Sequence, residues 1–173
     1  INDQIQQMRK LLDRTIPKNI SINMTCCDDL MAISGDPTQI EQIIMNIALN
    51  ARDAMPDGGK LEIETTNVFL DEQFCSERTD ASPGHYVLLR ITDSGRGMNP
   101  EIMSHIFEPF FTTKPAGSGT GLGLSIVHGI VVNHRGFITC ESSVGLGTTF
   151  RIYFPAVANS ALSKITHDSV SFW

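Results

Sequence analysis

The chain has 173 residues, 41% of them apolar, and a formal net charge of −6. That length is enough for one compact domain with its own core; no apolar run approaches the roughly 20 residues that span a bilayer, and residues 1–10 lack the apolar block of a secretory leader. The acidic balance argues against a nucleic-acid partner, though not against a nucleotide held by local loops, and the four cysteines form no C-x-x-C pair, which disfavours a zinc site and suits reduced thiols in a cytoplasm.

In chain order, residues 1–14 read as a short polar helix or the end of a longer one, broken at Pro17. Ile20-Ser21-Ile22-Asn23-Met24 alternates like a strand, and residues 30–33 are a candidate partner for it. The clearest helix start follows. Asp36 stands at the cap, Pro37 at the first helical position and Gln39 three residues after the cap, the pattern of a capping box. This helix is expected to run to Met55, where Pro56-Asp57-Gly58-Gly59 ends it. Leu61, Ile63 and Thr65 alternate with Glu62 and Glu64 as a half-buried strand. Residues 71–84 are polar and contain Pro83-Gly84, so an exposed loop is expected. Residues 86–92 form a strongly apolar, central strand. Residues 99–118, rich in Pro, Gly, Thr and Phe, read as irregular, with one helical turn near 102–107. A helix over 122–133 and a closing hairpin of 137–141 with 148–154, turning through Val144-Gly145-Leu146-Gly147, complete the pattern. The tail from Ala156 shows no periodicity. Strands and helices mix without regular β-α-β alternation, which predicts a two-layer α/β sandwich with helices on one face of a mixed sheet.

Four places carry chemistry. On the capped helix, stepping about 100° per residue, Ile40, Ile43, Ile44, Ile47, Ala51 and Ala54 form the core stripe. Asn46, Asn50 and Asp53 fall in a narrow arc beside it. Such a stripe is either a solvated polar face or the wall of a cleft, and amide oxygens suit Mg²⁺, which takes few protein ligands and keeps phosphates and waters. Asp93-Ser94-Gly95-Arg96-Gly97 follows an apolar strand: an ordinary turn, or an acceptor beside a backbone that can approach a flat base. Gly117-Ser118-Gly119-Thr120-Gly121-Leu122-Gly123 runs into a helix whose N-terminus favours phosphate; its bland reading is a flexible linker. It matches neither a dinucleotide fingerprint nor a P-loop. Gly145-Leu146-Gly147-Thr148, alone, is a turn.

Together the order and spacing are specific. Asn46-x-x-x-Asn50, Asp93-x-Gly95-x-Gly97, Phe107-Glu108-Pro109-Phe110-Phe111-Thr112-Thr113-Lys114, the glycine-rich loop and Gly145-x-Gly147-Thr148 resemble the N, G1, F, G2 and G3 boxes of the catalytic ATP-binding domain of sensor histidine kinases. The likeness spans residues 36–155. The "FEPFFTTK" wording is similar to the nitrogen-regulatory and hybrid groups, and separates them from the gyrase, Hsp90 and mismatch-repair ATPases that share the fold. The resemblance implies a Bergerat-type α+β sandwich, with a mostly antiparallel sheet and a mobile ATP lid. It implies a connection from a dimerisation and phosphoacceptor domain in 1–19, the catalytic domain in 20–155, and a tail or linker in 156–173.

The resemblance also assigns roles. Asn50, with Asn46, would hold Mg²⁺ on the ATP phosphates. Asp93 would read the adenine amino group, with Gly95 and Gly97 closing on the base and Thr148 supporting it. Gly119, Thr120, Gly121, Leu122 and Gly123 would line the phosphates, and Lys114 would reach the terminal ones. Phe107, Phe110 and Phe111 would anchor the lid or simply pack it. Two departures stand out. Related ATPases carry a glutamate general base where Asn46 stands, so efficient intrinsic hydrolysis is not expected. Many histidine kinases carry a basic residue where Asp53 stands. None of His85, His105, His128, His134 and His167 sits in a phosphoacceptor-like pattern.

The leading expectation is an enzyme that transfers the γ-phosphoryl group of Mg-ATP to a histidine on a separate dimerisation domain. The expected partners are that domain and a downstream response-regulator receiver domain, in a homodimeric full-length protein, with no nucleic acid and no membrane contact by this domain. The expected location is cytoplasmic, with any membrane anchor in other segments. The alternative is a non-catalytic nucleotide-sensing module of the same fold; a gyrase- or Hsp90-like ATPase is a distant third.

Overall fold

The computed structural model describes residues 1–76, 78–115 and 119–157. The expected tail from 158 onward, and Gly117 and Ser118 of the glycine-rich loop, lie outside the described residues. In order, the elements are α1 (Asn2–Thr15), β1 (Ile20–Thr25), α2 (Pro37–Ala54), β2 (Gly59–Leu70), α3 (Glu72–Ser76), β3 (Gly84–Asp93), α4 (Pro100–Met103), α5 (Gly123–Asn133), β4 (Phe137–Ser143) and β5 (Gly147–Pro155). One sheet of five strands has the order β1-β2-β3-β5-β4. Among the described residues only β1 and β2 pair in parallel, as strands joined through a crossover helix do; the other pairs are antiparallel. With α1, α2 and α5 on one face, this is the expected mixed, mostly antiparallel α/β sandwich. No helix among the described residues is long and apolar enough to cross a membrane.

The core lies between that sheet face and the helices. Ile40, Ile43, Ile44, Ile47, Ala48 and Ala51 of α2 are buried against Leu61, Ile63, Leu89, Ile91, Phe150, Ile152 and Phe154 of the sheet. Ala54, expected in the stripe, is half-buried at the helix end, where its carbonyl accepts the Arg96 N–H at 3.0 Å. Asp36 caps α2 by accepting from the Thr38 N–H at 2.8 Å. Its own N–H donates to His134 Nε2 at 3.0 Å, in the place expected for Gln39. The far end of α5 therefore closes the capping motif.

α1 is not a free polar segment. Ile5, Met8 and Leu12 recur at helical spacing and are buried in the common core beside α2. Each such burial is worth about 1.5–3 kcal/mol. Asn2 ties its start to the sheet, donating to the Cys27 carbonyl at 2.7 Å and accepting from Thr65 Oγ1 at 2.8 Å.

Three sequence expectations are corrected. Residues 30–33 do not form a strand beside β1. The Asn67 amide captures this segment, bonding the Met31 N–H at 2.9 Å and the Asp29 carbonyl at 2.8 Å, and Ile33 makes a single antiparallel bridge to Ala156. Residues 71–84 are not simply an exposed loop. Asp71 accepts the Phe74 N–H at 2.8 Å to start α3. Buried Cys75 joins Leu70, Tyr86, Phe137 and Tyr153 in a second cluster on the opposite face of the sheet. The helical turn expected near 102–107 forms earlier, as α4, because Asn99 accepts the Ile102 N–H at 2.8 Å and Pro100 sits at the first position.

Candidate functional site

α2, the end of β3, the loop after it, the segment between α4 and α5, and the β4–β5 hairpin enclose one cavity of about 660 Å³. That is within the usual size range of small-molecule sites. Of the residues singled out in the sequence, Asn46, Asn50, Asp93, Gly97, Lys114, Gly119, Thr120, Gly121, Gly123 and Thr148 line it. Gly95 and Leu122 do not. Gly95 sits behind the wall against Ala54, with its N–H on Asp93. Leu122 occupies the N-cap position of α5.

The cavity has two chemically distinct ends. At one end Asp93, the last residue of β3, is 6% exposed. Burial pushes its carboxyl above the usual carboxylate range, and the N–H groups of Gly95 and Thr148 oppose that rise. Asp93 Oδ1 accepts from Gly95 at 2.8 Å. The surrounding wall is packed backbone against backbone. A Cβ at Gly97 would lie 1.9 Å from the Ser143 carbonyl oxygen, and one at Gly147 would lie 1.9 Å from that of Asp93. Both glycines hold positive φ, 64° and 92°, a region disfavoured for other residues.

Ser142 on β4, which the sequence reading missed, links these parts. Its hydroxyl accepts the Met98 N–H at 2.9 Å and donates to the Gly147 carbonyl at 3.0 Å. Its one proton is thereby used, so the Thr148 hydroxyl, 2.9 Å away, must donate to it. The lone pairs of Thr148 then remain for whatever fills the cavity. Nothing in the sequence marks a serine in a strand for this duty.

The other end is polar and charged. Asn46, Asn50 and Asp53 project from one side of α2. The Asn46 amide nitrogen is buried without a hydrogen-bond partner among the described residues. Lys114 Nζ lies 2.6 Å from Asp53 Oδ2 and 3.4 Å from Asn50 Oδ1. Arg52 donates to Asp53 Oδ1 at 2.8 Å. Burial acts to raise the Asp53 carboxyl, but the two cations outweigh it and hold the group below its ordinary range. That Asp53 touches Lys114 could not be read from a separation of 61 residues.

The three phenylalanines separate. Phe111 lines the cavity. Phe107 packs against the core and meets His128 at a tilt of 40°, with ring centroids 5.4 Å apart. Phe110 is 75% exposed and holds a positive φ of 68°. Its N–H donates to the Gly121 carbonyl at 3.0 Å, which joins the two arms of the segment.

The model of the histidine kinase-, DNA gyrase B- and HSP90-like ATPase family matches residues 35–158. The chain is 42% identical over 155 residues to the sensor kinase CckA of Brucella abortus (strain 2308), covering 90% of this chain and 16% of that protein. It is 41% identical over 128 residues to the two-component sensor PprA of Pseudomonas aeruginosa, covering 74% and 13%. The chain thus spans less than a fifth of either curated relative. Among solved structures it is similar to a nucleotide-free form of the catalytic domain of the histidine kinase ThkA, with TM-score 0.71 and 29% identity, covering 90% of this chain and 92% of that one.

Proposed function

The chain belongs to the histidine kinase-, DNA gyrase B- and HSP90-like ATPases, on their sensor-kinase branch, and we propose that it holds Mg-ATP in the cavity above and passes the γ-phosphoryl group to a histidine on a separate dimerisation domain. ATP as the nucleotide goes with the family. The observation that carries the reading is the division of one cavity between a buried carboxylate and a cation-bearing polar end.

The residues fit the group. Asp93 spends acceptor capacity on Gly95 and Thr148, and a carboxylate has more to offer an exocyclic amine. Thr148, with its hydroxyl proton committed to Ser142, presents lone pairs beside it. Gly97 lets the backbone approach a flat base, with Gly95 supporting Asp93 from behind. Gly119, Thr120, Gly121, Leu122 and Gly123 lead into α5, which has no side-chain cap among the described residues and so favours phosphate at its N-terminus.

At the polar end the Lys114 ammonium already rests near the Asn50 amide oxygen, so a cation is accommodated there. Asn50 would hold Mg²⁺. Asn46 would assist through its unpartnered amide nitrogen toward a phosphate oxygen or, with the amide turned, through its oxygen toward the metal. Bound Mg²⁺ supplies charge neutralisation on the transferring phosphoryl group. Lys114 would share that task.

The same residues favour transfer over hydrolysis. Asn46 is no base, and Asp53 is engaged by two cations. In the whole protein the acceptor would lie on a dimerisation domain, with a response-regulator receiver domain downstream, in a cytoplasmic homodimer. α1 would be the end of the connection from that domain, docked on the catalytic core.

The test is calorimetry of ATP binding across a Mg²⁺ titration, with Asn50→Ala. The variant is expected to keep its fold, since alanine favours helix more than asparagine does, and to lose the Mg²⁺-dependent part of its affinity. An unchanged Mg²⁺ dependence would remove Asn50 as the ligand.

A further inference from the structure

Asp53 plays no part in the transfer just described except as a partner of cations, and the geometry around it is specific. It lies one turn beyond Asn50 on α2. Arg52 approaches Oδ1 through both Nε and Nη2, each at 2.8 Å, which orients the carboxylate. Oδ2 is left to Lys114 Nζ at 2.6 Å. Lys114 comes from the segment that closes the cavity, and its backbone is held by its own N–H donating to Thr112 Oγ1 at 3.1 Å. Its stem runs against Gly119, where a Cβ would lie 3.0 Å from Lys114 Cδ. A lysine has four rotatable bonds and a strongly hydrated head, so these contacts alone would let it turn to water. The two side chains are only 25% and 27% exposed, so the pair is not an ordinary surface ion pair.

We infer that Asp53 is the positioning residue for Lys114: it draws the lid onto α2 and holds the ammonium at the phosphate end of the cavity before the nucleotide arrives. The inference rests on the Mg-ATP reading for its consequence, but not for the contact itself. It also accounts for an acidic side chain beside a polyphosphate site. Alone, Asp53 would repel phosphate; paired, it supplies an oriented cation. The sign of its effect therefore depends on Lys114.

The experiment is a double-mutant cycle on the chain, using Asp53→Asn and Lys114→Met. It has two readouts: amide exchange of residues 110–114 without nucleotide, and calorimetric affinity for ATP with Mg²⁺. Asp53→Asn should speed lid exchange about three- to tenfold and weaken ATP binding by about the same factor. Asp53→Glu should restore much of both. With Lys114→Met already present, Asp53→Asn should change lid exchange no further, and should leave ATP affinity equal or improved. Unchanged lid exchange in Asp53→Asn would overturn the proposal. So would an equal loss of affinity with and without Lys114, since Asp53 would then act on the nucleotide or its metal directly. If the wild-type chain binds no ATP while lid exchange still follows the cycle, the Mg-ATP reading fails and the Asp53–Lys114 positioning stands.

Discussion

Replacing Asp93 by asparagine exchanges one carboxylate oxygen for an NH₂ group and tests the proposed adenine end of the site. Asp93 is 6% exposed, and its carboxylate already serves the N–H groups of Gly95 and Thr148. An asparagine has one acceptor oxygen and one donor NH₂. If the oxygen stays on the backbone donors, the NH₂ meets the adenine amine; if it turns, the NH₂ meets Gly95. Either way two donors face each other in a dry site. Losing a hydrogen bond to a charged group costs about 1.5–3 kcal/mol, or roughly 10- to 150-fold in Kd. The unliganded fold should not suffer, because burial disfavours the Asp93 charge and asparagine removes it. The pH dependence follows the same sign. The acid's pKa is raised on folding, so the buried charge costs stability at neutral pH, and the cost fades as pH falls through the raised pKa. ATP affinity should move oppositely, weakening as that proton binds, and Asp93→Asn should abolish this acid-side loss. Calorimetry at neutral and acidic pH, with melting curves for each protein, provides the assay. Unchanged affinity in a folded Asp93→Asn chain would remove Asp93 from this role.

Two further predictions concern the scaffold. Gly97→Ala should destabilise by about 2–4 kcal/mol, since it combines a disfavoured positive φ with a Cβ driven into the Ser143 carbonyl. Gly145→Ala also has a positive φ but meets nothing within 4 Å, so it should cost only about 1–2 kcal/mol; equal melting losses would discount the backbone packing. Leu12→Ala removes a fully buried side chain and should cost about 2–5 kcal/mol in denaturant unfolding. A negligible loss would mean that α1 is not part of the folding unit.

Much of this architecture is legible where a local signal coincides with a long periodic pattern. α2 shows it: Asp36-Pro37 marks the start, the isoleucines mark the buried face, and both hold. The register of β3 with β5 is legible only in part, because alternation identifies the strands but not their neighbours. Segment 71–84 was opaque because α3 is five residues long and buries only Cys75. The cues for α4 were present in Asn99-Pro100, yet competed with the apolar residues that follow. The site follows the same division. Asp93, Gly97 and Asn50 belong to motifs contiguous in sequence. Ser142, and the pairing of Asp53 with Lys114, depend on tertiary proximity that no window can display.

Transfer of phosphoryl to a separate histidine is the proposed reaction, and positioning accounts for much of such a rate. The direct measurement uses γ-labelled ATP with this chain, alone and mixed with an excess of a folded dimerisation domain from the same kinase. Effective concentration falls without a tether, so labelling should be slow. This chain alone should take no label, and the partner should take acid-labile, base-stable label that Asn50→Ala abolishes. Stable label on this chain by itself, or none on a folded partner while ATP is bound, would contradict it.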